Sequence, residues 1–324
     1  MSATMKDVAK KAGVGVGTVS RFLNNGSVKE STRKKVEAAI KELNYQTNFY
    51  ARGLKTNRTY TVALIIPTVW HPYFSEFAFH VETALEKANY KMYLCNSDGE
   101  VEKEKEYIQM VTQNKVDGII GITYSDIDEY ISSNLPFVSI DRYFTEDVIY
   151  VTADNIGGGR LAAQKLQELG CKKVAYIGGY QETPNETKSR RKYFEIECNQ
   201  IGLEVKVLDM LEPLHEVEEK IERFLIENPG IDGIFTINDP MAMTVCRVLK
   251  TIGKSVPDDV QVIGFDGQRV NEGAPFFVST IIQPLQSMAE SAVALLLKVI
   301  QGEEVENRTV LPVFFGEGPT TKKI

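Results

Sequence analysis

At 324 residues, with 43% apolar and 25% charged side chains, the chain is long for one core and predicts roughly two or three domains that fold without disulfide or metal staples. No apolar run reaches membrane-spanning length and the N-terminus has no signal-peptide stretch, so a cytoplasmic protein with no membrane partner is expected. Cys95, Cys171, Cys198 and Cys246 form no CxxC pair, and His71, His80 and His215 lack ligand spacing; free thiols, no metal and no cofactor are expected.

Thr4 is placed to cap a first helix, and Asp7 follows three residues later, where an acid suits a capping box and the helix dipole. Val8, Ala9 and Ala12 supply a small apolar face, and Gly13 a stop that tolerates positive φ. Val16, Val19, Phe22 and Leu23 recur at helical spacing, which predicts a second helix over 16–23, ended by Asn24-Asn25-Gly26. Ser31 or Thr32 is expected to open a third, with Val36, Ile40 and Leu43 on one face. Three short helices around a small core and a tight turn describe a helix-turn-helix that lays its second helix along a DNA major groove. Charge agrees. The chain as a whole carries −7, yet residues 1–60 hold 12 Lys or Arg against 4 Asp or Glu. Such a segment is the footprint of a phosphate-binding module. A solvated helical surface would show the same charge, so the helix spacing is what turns the reading toward DNA.

From Thr61 the pattern becomes short apolar strands alternating with amphipathic helices. Strands are expected over 61–67, 91–95, 118–122, 137–140, 174–177, 204–208, 233–237, 260–265, 278–282 and 309–315. Helices are expected over 72–88, 102–114, 157–169, 188–201, 216–227, 240–252 and 285–301. Alternation of this kind means parallel sheets with crossover helices, and ligands sit beyond the carboxyl ends of the strands. Asp141, Asn238-Asp239, Asp266 and Gln283 fall at those ends, a set that both donates and accepts hydrogen bonds as sugar hydroxyls require. Each could instead be a helix cap. Trp70, His71, Tyr73 and Phe74 follow the first core strand and are placed to line an apolar wall, or to pack a core. Gly157-Gly158-Gly159 reads as close subdomain packing rather than as a phosphate site. GxxxxGK[ST], GxSxG and HExxH are all absent, so no enzyme is expected.

Asp7-Val8-Ala9 with Ala12-Gly13-Val14, Thr18-Val19-Ser20-Arg21, Val36-Glu37-Ala38-Ala39-Ile40 with Leu43-Asn44-Tyr45, Asn238-Asp239 and Val262-Ile263-Gly264-Phe265-Asp266 together resemble the LacI/GalR family of bacterial transcription regulators, over the entire chain. Within it the overall look is that of regulators of sugar uptake, of the sucrose type. The resemblance implies an all-α helix-turn-helix headpiece (1–46), a hinge helix or linker (47–59), and an effector-binding core (60–324) like the periplasmic sugar-binding proteins. That core would be α/β, with two similar parallel-sheet subdomains, about 60–153 with 285–313 and about 154–282 with 314–324, the chain crossing between them about three times. It implies a homodimer on a pseudo-palindromic double-stranded operator, acting as a repressor of carbohydrate metabolism. A small sugar or sugar phosphate between the subdomains would switch operator affinity.

By the same resemblance Val16, Gly17 and Arg21 face base edges, and Thr18 and Ser20 hold the DNA backbone. Lys6, Asn24 and Asn48 complete the DNA-contacting set with Ala51 and Leu54 of the hinge, whose leucine wedges into the minor groove. Tyr73, Phe74, Asp141, Arg190, Asn238, Asp266 and Gln283 match effector-contacting positions. Tyr193 stands where glycine is usual, so Arg191 is the alternative to Arg190. Other departures are Gly15 for a hydroxyl cap, Gly17 for a polar reader, Thr47 for proline, and Gly53 within the hinge. No heptad helix trails the last core strand, so a dimer is expected, its interface running through core helices including Met288 to Ile300. Three other classes fit parts of the chain. One is a solute-binding protein, which the headpiece contradicts. Another is an α/β enzyme with a DNA-like appendage. The last is a global regulator answering to a protein co-effector.

Overall fold

The computed structural model describes residues 3–23, 26–45, 58–113, 115–131, 135–144 and 148–323, in two compact units, 1–59 and 60–324. The predicted DNA contacts Asn24, Asn48, Ala51 and Leu54 lie outside the described residues.

The first unit contains α1 (Met5–Ala12), α2 (Val16–Leu23) and α3 (Glu30–Glu42). The capping box forms: Asp7 N donates to Thr4 Oγ1, and Thr4 N donates to Asp7 Oδ2 at 2.9 Å. Gly13 ends α1 at φ 65°, the left-handed conformation that costs a Cβ-free residue nothing. Val8, Ala9, Ala12, Val19, Val36 and Ala39 bury together, with Phe22, Ile40 and Leu43 packed against them. The third helix starts earlier than expected. Lys29 takes the capping position without a side-chain bond, which puts Ser31 and Thr32 inside the first turn.

The second unit holds two six-stranded sheets. The first has the order β11-β5-β4-β3-β1-β2 and is parallel throughout. Its strands are β1 (Thr61–Ile66), β2 (Lys91–Asn96), β3 (Gly118–Gly121), β4 (Phe137–Ile140), β5 (Ile149–Ala153) and β11 (Arg308–Leu311). Helices α4 (Pro72–Lys87) and α10 (Leu285–Gln301) cover one face and α5 (Val101–Thr112) the other. The strand β1 shows why: Val62, Leu64 and Ile66 enter one core and Ala63 and Ile65 the opposite one, so a continuous apolar run serves two buried faces.

The second sheet has the order β12-β10-β9-β8-β6-β7. It comprises β6 (Lys173–Tyr180), β7 (Glu204–Leu211), β8 (Gly233–Thr236), β9 (Gln261–Asp266), β10 (Ser279–Ile282) and β12 (Phe314–Gly316), the last antiparallel. Helices α6 (Asn155–Glu168) and α7 (Lys188–Ile201) pack one face, α8 (Val217–Glu227) and α9 (Asp239–Thr251) the other. The chain passes between the sheets after Ala153, after Ile282 and after Leu311.

Four expectations need correction. Strand β5 was not anticipated. The single strand expected over 309–315 is two strands in different sheets, parted at Pro312, which has no N–H to continue a ladder. Strands β6 and β7 run to Tyr180 and Leu211, because Gly178 and Gly179 pair with Asp209 and Met210 instead of breaking the strand. The stretch Met288 to Ile300 is not a free surface. Met288, Ala289, Ala292, Val293 and Leu296 are buried in the first sheet's own core.

The glycine run in α6 packs closely against α7 and the second sheet, inside one subdomain. A Cβ on Gly159 would lie 2.4 Å from the Arg190 carbonyl oxygen, and one on Gly158 2.6 Å from the Phe265 ring. Gly159→Ala should therefore push α7 off α6 and destabilise the core by about 1–3 kcal/mol. Denaturant titration would show a lowered midpoint; an unchanged midpoint would mean that the two helices separate at no cost.

Candidate functional site

The carboxyl ends of both sheets open onto one cleft of about 250 Å³. Asp141 follows β4, Asn238 follows β8, Asp266 ends β9, Gln283 follows β10, Arg190 lies in the first turn of α7, and Tyr73 and Phe74 open α4. All seven line this cleft, together with His71. Trp70 does not: it is 91% exposed, so the expectation that it lines the pocket is corrected. Of the two arginines, Arg190 is the one that lines the cleft. Arg191 turns away to Asp209 and Glu195, at 2.7 Å each.

The buried polar groups form one chain. Tyr73 Oη and Thr152 Oγ1 donate to the two oxygens of Asp141, at 3.1 and 2.6 Å. Asn155 donates from Nδ2 to Thr152 Oγ1 at 3.0 Å and accepts at Oδ1 from Arg190 Nε at 2.7 Å. Arg190 Nη1 donates to the Ile237 carbonyl at 2.8 Å and stands 3.9 Å from Asp266 Oδ1. Its guanidinium lies 3.7 Å over the Phe265 ring, a stacking that only a planar cation can make. Gln283 Nε2 then donates to Asp266 Oδ1 at 2.9 Å. The chain starts on the first sheet and finishes on the second.

Backbone strain accompanies the two acids. Asp141 sits at φ 55° and Asp266 at φ 122°, conformations that a side chain rarely takes and that cost of order 1–3 kcal/mol. Burial shapes the ionisation as well. It pushes the Asp266 carboxyl up to about 7, with Arg190 and Gln283 pulling it back. It raises the Tyr73 and Tyr124 hydroxyls and lowers His71, which is therefore neutral near pH 7.

Two strand-end residues have structural duties. Asp239 accepts from the backbone N–H groups of Gly267 and Gln268 and from Thr280 Oγ1, and it stands outside the cleft lining. Asn238 lines the cleft and also caps α9 by accepting from Met241 N at 2.9 Å. Sequence reasoning missed Tyr124, Gln181, Asn185 and Glu212, which line the cleft, and Asn155, which joins its halves. Gln181 and Glu212 directly follow β6 and β7, so the rule about strand ends would have found them had those strands been extended past their glycines.

In the first unit Lys6, Val16, Gly17 and Arg21 are exposed, and Thr18 and Ser20 half-buried. Around Gly15 and Gly17 a Cβ would meet nothing within 4 Å, so the chain's own packing does not demand glycine at either position.

Asp266 carries a consequence for stability. Between about pH 4 and its folded value of about 7, the folded chain keeps a proton that the unfolded chain releases, so stability falls as pH rises through that window and levels off above it. In Asp266→Asn, denaturant titrations across this range should show a shallower decline than in the parent protein. Parallel curves would show that Asp266 ionises as it does in water.

Comparison with known proteins agrees with both units. The family described as "Bacterial regulatory proteins, lacI family" matches residues 4–48, and "Periplasmic binding protein-like domain" matches residues 163–316. The chain is 36% identical over 325 residues to the ribose operon repressor of Halalkalibacterium halodurans, covering 98% of this chain and 97% of that one. It is 34% identical to the sucrose operon repressor of Pediococcus pentosaceus, covering 99% and 100%. Ribose-type and sucrose-type relatives thus stand at nearly equal identity. Among solved structures, a periplasmic binding protein/LacI transcriptional regulator from Alkaliphilus metalliredigens complexed with D-xylulofuranose superposes with a TM-score of 0.71 at 31% identity, covering 81% of this chain and 99% of that one. A basic three-helix unit, a two-sheet core with a polar cleft and whole-length identity point the same way: the chain belongs to the lacI family of bacterial regulatory proteins.

Proposed function

We propose that this protein is a repressor of carbohydrate-utilisation genes that binds a pseudo-palindromic operator as a homodimer and answers to a small sugar held in the core cleft. The observation that carries this reading is the presence in one chain of a basic helix-turn-helix unit and a buried polar cleft lined by residues from both sheets. The operon names of its relatives support carbohydrate control, and the ketose in the Alkaliphilus structure supports a sugar in the cleft. No described helix is long and apolar enough to cross a membrane, which agrees with action in the cytoplasm.

On the DNA side, α2 presents Val16 and Gly17 to base edges and Arg21 for a bidentate bond to guanine, while Lys6, Thr18 and Ser20 hold the backbone. Glycine at 17 lets DNA approach the helix closely. The segment with Asn48, Ala51 and Leu54 acts as the minor-groove wedge, and Asn24 extends the contact set. For dimerisation, the edge strand β2 exposes Tyr93 and Leu94, and α4 exposes Phe79 (65%), apolar surface that a second copy would cover. Sugar binding and operator binding are then two ends of one equilibrium. A coupling of about 1–3 kcal/mol would be felt equally at both sites.

Gel retardation against DNA fragments selected from a random pseudo-palindromic pool tests the reading. Binding should weaken linearly in log affinity with log salt. Arg21→Ala should lose about 1–3 kcal/mol on the selected operator and relax preference at one base pair. Equal loss on operator and unrelated DNA would reduce Arg21 to a phosphate contact, and failure to retard any duplex at low salt would end the proposal.

A further inference from the structure

The charge of the cleft narrows the ligand. Three lining carboxyl groups, Asp141, Glu212 and Asp266, face a single lining guanidinium, Arg190. The guanidinium is partly engaged, with Nε on Asn155, Nη1 on the Ile237 carbonyl, and its face on Phe265. His71 adds no positive charge, because burial lowers it. Even with a proton on Asp266, two carboxylates oppose one cation.

Hydrogen-bond polarity says the same. Gln283 spends its amide N–H on Asp266, and Gln181 donates from Nε2 to Glu212 Oε2 at 2.7 Å. In both, the other end of the amide, Oε1, is buried without a partner. Two carboxylate–glutamine pairs, one at the end of β9 and β10 and one at the end of β6 and β7, therefore offer acceptors. Three lining donors are already used within the cleft wall. Tyr73 Oη serves Asp141, Asn185 Nδ2 serves the Thr183 carbonyl, and Thr187 Oγ1 serves Asn185 Oδ1. A phosphate ester, with about −1.5 to −2 charges and only acceptor oxygens, is the wrong complement. A polyhydroxyl ring, where every hydroxyl can donate, is the right one.

Size sets a further limit. At about 250 Å³ the cleft falls below the ~300–1,000 Å³ of sites for drug-sized ligands, which suits one ring. The adjoining recess behind Gly179 and Thr187 is a separate environment: Arg191 is held there by Asp209 and Glu195, while Lys188 and Lys192 leave it one positive charge in excess, so the discrimination belongs to the cleft itself and to ligands that stay within it.

We infer that the cleft selects an uncharged single-ring sugar and rejects its phosphate ester, with the Gln181–Glu212 pair acting as a specificity determinant beside Asp266 and Gln283. The inference rests on the carbohydrate reading of the cleft and goes beyond it by fixing charge and size.

Calorimetry on the full-length protein tests it, using D-ribose, D-xylulose, D-fructose and D-glucose, the phosphate ester of each, and sucrose. At least one free monosaccharide should bind, with its phosphate ester weaker by about tenfold or more, because like charges are brought together in a buried site. Glu212→Gln should narrow that gap by removing one of the opposing charges while keeping the side-chain shape. A phosphate ester that binds as well as its parent sugar overturns the inference and leaves the carbohydrate reading standing. A disaccharide that binds more tightly than any single ring overturns the size limit, and an unchanged gap in Glu212→Gln removes that residue from the discriminating set. No binding by any sugar or ester, with operator retardation intact, removes the carbohydrate reading itself.

Discussion

A guanidinium withdrawn from water is tolerable only if its surroundings replace what water gave, and Arg190 is the group around which this core is arranged. It is 4% exposed, and its partners come from α6, the end of β8, the end of β9 and the ring of Phe265. A buried ion pair of this kind is weak evidence for stability, since desolvation offsets much of the attraction. What it does is fix geometry. The position of α7 depends on it, and so does the glycine run of α6, because only a bare backbone lets the helix carrying Arg190 come this close.

The same arrangement ties the cleft to the crossings between the sheets. The first crossing leads directly into Asn155, which joins the Asp141 side of the network to Arg190. The second contains Gln283, which holds Asp266. Residues that would bend during a change in subdomain orientation are thus bonded to residues that would touch a ligand. The crossings and the cleft therefore share one hydrogen-bonded network.

Much of this was legible from the chain alone. The headpiece declares itself through Thr4 and Asp7, the left-handed Gly13 and the spacing of Val16, Val19 and Phe22, because local capping and periodicity decide short helices. The cleft residues at the ends of β4, β8, β9 and β10 follow from one topological rule about parallel sheets. The failures have definite causes. Gly178-Gly179 imitates a strand break, although Tyr176 folds its ring over Gly178, where no side chain would fit. That error hid Gln181 and Glu212. Trp70 sits next to cleft residues in sequence, yet His71 turns into the cleft and Trp70 out to solvent, and nothing in its spacing says so. Asp239 and Asn238 are neighbours of nearly the same shape, and only the tertiary positions of Gly267, Gln268 and Thr280 assign one to the scaffold.

The left-handed backbone at Asp141 and Asp266 narrows what descent with modification can do at this site. At Asp141, in the left-handed well, glycine, asparagine and aspartate are the residues best tolerated, and at Asp266, whose φ lies beyond that well, any side chain is strained, so these two positions have a short vocabulary whatever molecule the protein meets. Drift toward a new ligand has to run through neighbours whose main chain imposes no such restriction, Tyr124, Gln181 and Glu212 among them. Paralogues of this chain are then expected to share their two acids or the corresponding amides, and to differ at the rim.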